Sequence, residues 1–290
     1  MSPIEQQIKE KIERLGTPLK DWNIQINYGI KTGYNEAFII SGEKRKELIE
    51  KDPKSDEIIR PILRGKDIKR YGYDFADRWL INTHNGIGEK CVKPILIDDY
   101  PAIKRHLDQY FHELEIRADQ GDTPYNLRNC AYMEDFSEQK IVWARLMRIS
   151  KNDSQIFPRF SIVPEDYFTL DSLCFIVGKN LKFLLSVLNS KLAAYYFFQN
   201  IAILDNGGMQ MRQQYVENIP IPKGDQQIIT QIETLVESAS CNPNKEELEK
   251  NINEFVNSLY RFNDKEIEFV ENYLKGKKAE ISLLHINISE

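Results

Sequence analysis

The sequence predicts an α+β protein: a mixed sheet-containing body over residues 1–222, followed by a small C-terminal helical bundle over 223–290. Three observations carry that expectation. Short runs rich in branched and aromatic residues, such as "KIVWARLM" and "SLCFIVG", read as strands set between polar loops with glycine and proline. The stretch "LKFLLSVLNSKLAAYYFF" is too long for a strand and apolar around most of its circumference, as a buried helix is. Beyond Pro222 the texture changes to Ile, Leu, Glu and Lys at helical spacing, which places the boundary there.

Taken in chain order, "MSPIEQQIKEKIERLG" gives an amphipathic helix over about Ile4–Leu15, closed by Gly16 as a left-handed terminal glycine. "TPLKDW" is an extended approach, because Pro18 restricts Thr17. "NIQINYGIKTGYNEAFII" alternates and turns, which predicts two short strands joined as a hairpin by a glycine-containing loop. A charged helix over about Lys44–Lys51 stops before Pro53, and "IIRPILRGKDIKRYGYDFADRWLINTH" reads as a basic loop leading to a strand around Trp79–Asn82. Tyr100–Leu114 is one helix with Pro101 in its first turn, and "RADQGDTPYNLRNCAY" is a polar loop. After the two strands, Leu181–Gln199 forms a single helix, and "NGGMQMRQQYVENIPIP" returns through a loop to a proline-rich stop. Three helices finish the chain, about Gln226–Ser238, Lys245–Arg261 and Asp264–Lys275, with Asn242, Pro243 and Asn263 at the breaks.

Composition limits the function classes. Hydrophobic residues at 41% and aromatics at 11% of 290 residues sustain a sizeable core. The start shows no signal-peptide pattern, and the longest apolar run is broken by Asn189, Ser190 and Lys191, so no membrane partner is expected. Cys91, Cys130, Cys174 and Cys241 lie far apart with no CxxC pair, which fits a reducing, cytoplasmic setting. His106 and His112 could share a helix face, but no third ligand is near in sequence; no metal residue is assigned.

The net charge of -5 is unevenly distributed. Residues 223–290 hold eight basic and thirteen acidic residues, so residues 1–222 balance with thirty-one of each sign. Within that neutral part Arg60–Arg70 carries five cations against Asp67 alone, and Lys140–Arg159 carries five against Asp153 alone. Local basic surface on a neutral body is compatible with DNA.

Missing motifs narrow the field further. There is no GxGxxG after a strand, no GxxxxGK[ST] and no GxSxG. The catalytic Asn-or-Asp-Pro-Pro-Tyr loop and glycine-rich cofactor loop of amino-methyltransferases are absent too, so no catalytic residue is assigned. Glu165, Asp166 and Asp171 read as a charge-rich loop, with a metal nuclease site as the alternative. "RPILRGKDIKRYGY" interleaves Arg60, Arg64, Lys66, Lys69 and Arg70 with Tyr71 and Tyr73, and is either a solvated loop or a phosphate- and base-contacting one. "KIVWARLMR" puts Arg145 and Arg148 at the end of a strand, ordinary surface on its own, with Lys151 following. "KTGYNE" taken alone is a turn by local chemistry.

Five segments together resemble a known family. "GIKTGYNEAFII", "IIRPILRGKDIKRY", "RADQGDTPYNLRNCAYMEDFSEQKIVW", "LLSVLNSKLAAYYF" and "VENIPIP" stand here in the order seen in TaqI-like C-terminal specificity domains. Those domains are the target-recognition part of adenine-specific DNA methyltransferases and of type IIG restriction–modification enzymes. "NSLYRFNDKEIEFVENYL" is similar to the helical tail that often follows. The resemblance covers about Lys11–Leu274.

That resemblance implies double-stranded DNA as partner and a methyltransferase domain, in cis or in trans, whose catalytic half is missing from this chain. It implies S-adenosylmethionine, with magnesium a further candidate, as the cofactor of that missing half and none in this chain. Gly29, Thr32, Gly33, Asn35, Ala37 and Phe38 match the family's first pattern, with Gly29 and Gly33 expected to form a bend. Arg64, Gly65 and Asp67 match the second, with the arginine before the glycine, and Arg117, Asp119, Gly121, Tyr125 and Arg128 match the polar loop. The candidates for DNA contact are Lys31, Thr32, Tyr34, Asn35, Arg64, Lys66, Lys69, Arg70, Arg145 and Arg148. A separate specificity subunit resembling HsdS and a protein-interaction scaffold built on the helical tail remain open beside this reading.

Overall fold

The computed structural model describes residues 1–86, 92–149, 157–205, 207–239 and 245–284. Helix α1 (Pro3–Leu15) starts in a capping box: the Ser2 hydroxyl accepts from the Glu5 amide at 3.3 Å while the Glu5 carboxylate accepts from the Ser2 amide. Ile8 and Ile12 form its buried stripe. Gly16 ends the helix but is extended, not left-handed. Glycine is needed for a different reason: strand β1 (Gly16–Pro18) lies so close to residues 220–222 that a Cβ on Gly16 would sit 2.5 Å from Pro220.

Strand β2 (Ile24–Tyr28), helix α2 (Asn35–Phe38) and strand β3 (Ile39–Ser41) occupy the stretch expected to form a hairpin. No hairpin forms, because the two strands belong to different sheets. After Tyr28 the backbone runs against residues 169–173: the Gly29 amide donates to the Leu173 carbonyl at 3.0 Å and the Ile30 amide to the Thr169 carbonyl at 2.7 Å. A Cβ on Gly29 would lie 2.0 Å from the Leu170 carbonyl oxygen, so this glycine serves close approach and only Gly33, at φ +71°, makes the bend.

Helix α3 (Gly42–Lys51), capped by Ser41, leads to strand β4 (Ile59–Leu63), which the sequence reading had as loop. Pro61 sits within β4 one residue before its pairing with β11 begins at Ile62, opposite Phe168, a place where a sheet tolerates proline. Strands β5 (Ile68–Lys69), β6 (Gly72–Tyr73) and β7 (Arg78–Ile81) follow. The helix expected over Tyr100–Leu114 is two, α4 (Pro101–Leu107) and α5 (Phe111–Ile116), separated by a 3-10 turn. Strands β8 (Lys140–Ala144), β9 (Met147–Arg148), β10 (Ser161–Val163), β11 (Phe168–Thr169) and β12 (Leu173–Gly178) complete most of the sheet material.

The helix expected over Leu181–Gln199 is also two, α6 (Leu181–Leu188) and α7 (Lys191–Asn200). The break is built. Asn189 turns its side-chain amide onto Phe160, accepting from its amide and donating to its carbonyl, both at 2.9 Å, and Ser190 caps α7 through the Ala193 amide. Strand β13 (Gly208–Met209), helix α8 (Gln213–Val216) and strand β14 (Pro220–Pro222) close the body, and helices α9 (Gln226–Ala239), α10 (Lys245–Leu259) and α11 (Asp264–Leu284) follow.

One sheet is antiparallel, in the order β10–β8–β12–β2. The other is mixed, in the order β11–β4–β7–β3, with β11 and β4 parallel. Phe136 joins them, stacked on Phe168 of the mixed sheet at 4.5 Å and lying 4.8 Å from Phe175 of the antiparallel one. Each such ring contributes roughly 1.5–3 kcal/mol through burial. Helix α9 packs on α6, α10 on α6, α7 and α9, and α11 on α7 and α1. Lys11 pairs with the buried Glu266 at 2.6 Å, and the Tyr260 hydroxyl donates to the Pro220 carbonyl at 2.6 Å, tying these helices to the body. Among the described residues no helix is long and apolar enough to cross a membrane.

Candidate nucleic-acid interface

The two sheets meet along a rim, and chemistry gathers there. Ile30 bridges Leu170, and the Asp171 amide donates to the Ile30 carbonyl at 2.9 Å. The end of β8 reaches the same loop, where the Arg145 amide donates to the Ser172 carbonyl at 2.9 Å. Gly65 completes the junction, its Cβ position 3.6 Å from the Ala144 side chain and 3.8 Å from the Ser172 hydroxyl. Residues 28–31, 65–66, 144–146 and 171–172, distant in sequence, therefore share one edge.

The polar loop of residues 117–128 supports this rim from beneath. Buried Arg117 donates to the carbonyls of Thr32, Pro124 and Asn126, and its guanidinium lies 4.5 Å over the Phe38 ring. Burial lowers its pKa to about 10. Asp119 receives Lys31 at 2.7 Å and Arg128 at 3.2 Å, and the Lys31 hydrogen bond leads the interactions that hold its carboxyl below the ordinary value. A Cβ on Gly33 would come within 3.0 Å of the Asp119 side chain, so the two loops lie in direct contact.

The candidates divide on this map. Lys31, Asn35, Lys66 and Arg148 are exposed; Tyr34 is half-buried, its ring 5.9 Å from Tyr110. Burial, then Glu113, Glu36 and Tyr110, raise the Tyr34 phenol. Arg145 is half-buried, donating to the Asp171 carbonyl at 2.8 Å with its guanidinium 5.2 Å over Tyr28. Thr32 is turned inward, 2% exposed, and its hydroxyl donates to the Asn35 side chain at 2.6 Å while accepting from the Tyr34 amide at 3.2 Å. It shapes the loop rather than presenting a group.

The two basic segments are mostly spent inside the molecule, contrary to the expectation of open basic surface. Arg60 folds back on the carbonyls of Asp56, Glu57 and Ile59. Arg64 forms a two-bond pair with buried Asp67, and Lys69 reaches Asp74 at 3.6 Å. Arg70 is half-buried in a two-bond pair with Glu249 of α10 and donates to the Pro158 carbonyl at 2.8 Å, which makes it a brace and not a free cation. Lys140 is fully buried, its ammonium donating to the carbonyls of Phe136, Tyr167 and Pro164 at 2.9, 3.2 and 3.4 Å, and burial lowers its pKa to about 8. Lys151 lies outside the described residues.

Sequence reasoning missed Tyr28. Alternation along "IQINY" puts it in phase with Ile24 and Ile26, yet it is 38% exposed at the rim. His106 is a core histidine whose Nε2 lies 2.9 Å from the Ala37 carbonyl, while His112 is exposed. Cys130 and Cys174 are free thiols; Cys91 and Cys241 lie outside the described residues. Among the described residues no three His, Cys, Asp or Glu side chains come together as a metal site. An open recess of about 570 Å3 at the opposite end of β2 and β12 is lined by Asp135, Glu138, Glu165 and Glu233. Its lining has no aromatic shelf for an adenosine group and four carboxylates that repel phosphate, so it does not suit S-adenosylmethionine or a phosphate-bound magnesium.

Fold and rim define a class: a mixed-sheet recognition domain with polar loops gathered on one edge and helices packed behind. The chain belongs to the family of TaqI-like C-terminal specificity domains, whose pattern matches residues 60–221. Its fold is similar to that of the type IIL restriction-modification enzyme MmeI, solved in complex with DNA, with a TM-score of 0.64 at 13% identity over 92% of this chain and 36% of that one. The type IIG restriction endonuclease BpuSI also matches, with a TM-score of 0.49 at 16% identity over 89% of this chain and 32% of that one. The chain spans only about a third of the length of each. No curated protein sequence matches it.

Proposed function

We propose that this chain is the double-stranded DNA target-recognition module of a restriction–modification adenine methyltransferase or endonuclease, working in the cytoplasm beside a methyltransferase domain in cis or in trans. The observation that carries the reading is family membership, together with exposed Lys31, Asn35, Lys66 and Arg148 and half-buried Arg145, drawn from three separate segments. Exposed lysines and arginines neutralise phosphates, and Asn and Arg side chains have the geometry to read adenine and guanine edges. S-adenosylmethionine belongs to the catalytic partner, where the flipped adenine would be methylated. This chain's residues would hold the duplex in register and select the flanking sequence.

The test is retention of a randomised duplex pool by the full chain, titrated with salt, followed by sequencing of the retained DNA. Enrichment of one short motif, with affinity falling steeply as salt rises, is the expected result. Retention that ignores sequence would sink the reading.

A further inference from the structure

We propose that Tyr28, Arg145 and Leu146 form a guanine-reading site at the rim, an inference that rests on the duplex-recognition reading above. Arg145 is held before any ligand arrives. Its amide is bonded to the Ser172 carbonyl, its Nη1 donates to the Asp171 carbonyl at 2.8 Å, and its guanidinium lies 5.2 Å over the Tyr28 ring. An exposed arginine normally samples many rotamers and loses that freedom on binding; here the ordering is already done. Asp171 takes one of the five N–H groups, and a bidentate contact with guanine O6 and N7 needs two.

The neighbours distinguish a base from a phosphate. Tyr28 is 38% exposed and Leu146 42% exposed, two of the few large apolar side chains open to solvent among the described residues, and both adjoin Arg145. A phosphate needs charge and hydration, which Lys31 and Lys66 offer without an aromatic backing. A base edge presents a flat polar surface beside apolar carbon, and matches an ordered guanidinium plane backed by a ring, with the exposed Leu146 next along the chain. Lysine could replace Arg145 as a phosphate contact, but it lacks the rigid planar fork that matches guanine O6 and N7.

The retained-pool assay, run in parallel on the parent, Arg145→Lys, Tyr28→Phe and Tyr28→Ala, tests the site, with urea unfolding to show that each variant is folded. The parent motif should contain a guanine at which Arg145→Lys and Tyr28→Ala lose about tenfold or more in discrimination, the other positions holding, while Tyr28→Phe matches the parent. A parent motif that Arg145→Lys reproduces at every position makes Arg145 a phosphate contact and overturns the proposal, leaving the recognition reading intact. A parent motif without guanine overturns it likewise. A parent that enriches no motif defeats the recognition reading itself and this site with it.

Discussion

The segment Arg60–Arg70 and the rim at the sheet junction carry the same residue types and use them in opposite ways. In the segment, Arg60, Arg64 and Arg70 are each satisfied by protein groups, and only Lys66 stands exposed. At the rim, Lys31, Lys66 and Arg145, drawn from three sequence-distant pieces, stand exposed or half-buried on backbone that is cross-bonded by Ile30, Asp171 and Arg145. A cation-rich stretch thus measures how much charge the chain has, not how much of it a ligand can reach. Internal bracing consumes part of it, because a buried Arg needs carboxylate and carbonyl partners.

Substitution can break that contrast most sharply at the Arg70 brace. Glu249→Ala leaves half-buried Arg70 without its countercharge, and urea unfolding should show a loss of about 3 kcal/mol. The salt dependence of DNA binding should stay that of the parent. If instead Glu249→Ala is as stable as the parent, Arg70 is not a brace.

Lys140 offers a second, pH-resolved contrast. Its folded pKa of about 8 lies below the usual lysine value, so between pH 8 and about 10 the unfolded chain binds the extra proton. Stability referred to Lys140→Met should therefore rise with pH across that window, by at most about 3 kcal/mol, and be flat below pH 8. A parallel pH course for the two proteins would show that Lys140 is solvated.

The smallest stability effects belong to the exposed cations. Lys66→Ala and Arg148→Ala should unfold within about 0.5 kcal/mol of the parent while each lowers the salt slope of DNA binding by about 1. Unchanged salt slopes in both would place the duplex elsewhere on the surface.

Much of the fold was legible because periodicity reports local geometry. The "KIVWA" and "LCFIVG" strands and the three C-terminal helices follow from pattern alone. Partners were not legible. The alternation in Asn23–Ile40 marks two extended pieces correctly, but nothing in it says that β2 joins β12 while β3 joins β7. The break in Leu181–Gln199 depends on Asn189 reaching Phe160, a contact between residues remote in sequence. The same limit governs the site. Arg70 finds Glu249 on a helix 179 residues away, and Lys140 finds carbonyls on two loops, so neither internal role is visible in the basic runs. Residues whose roles are local fared better: Gly33 makes its turn, and Lys66 sits outward on its 3-10 turn.

The antiparallel pairing of β1 with β14, Gly16 opposite Pro222 and Pro18 opposite Pro220, is short but has a geometric consequence. The chain leaves the two-sheet body at the place where it entered. Everything between, rim and polar loops included, is spanned by this clasp, with α1 on one side of it and α9 on the other, and the packing of α9–α11 on α6 and α7 ties the body a second time. The rim loops could be exchanged for those of a relative without touching α6 and α7, on which the C-terminal helices pack. A rim mounted this way can change its text while the clasp and the helices behind it keep their packing.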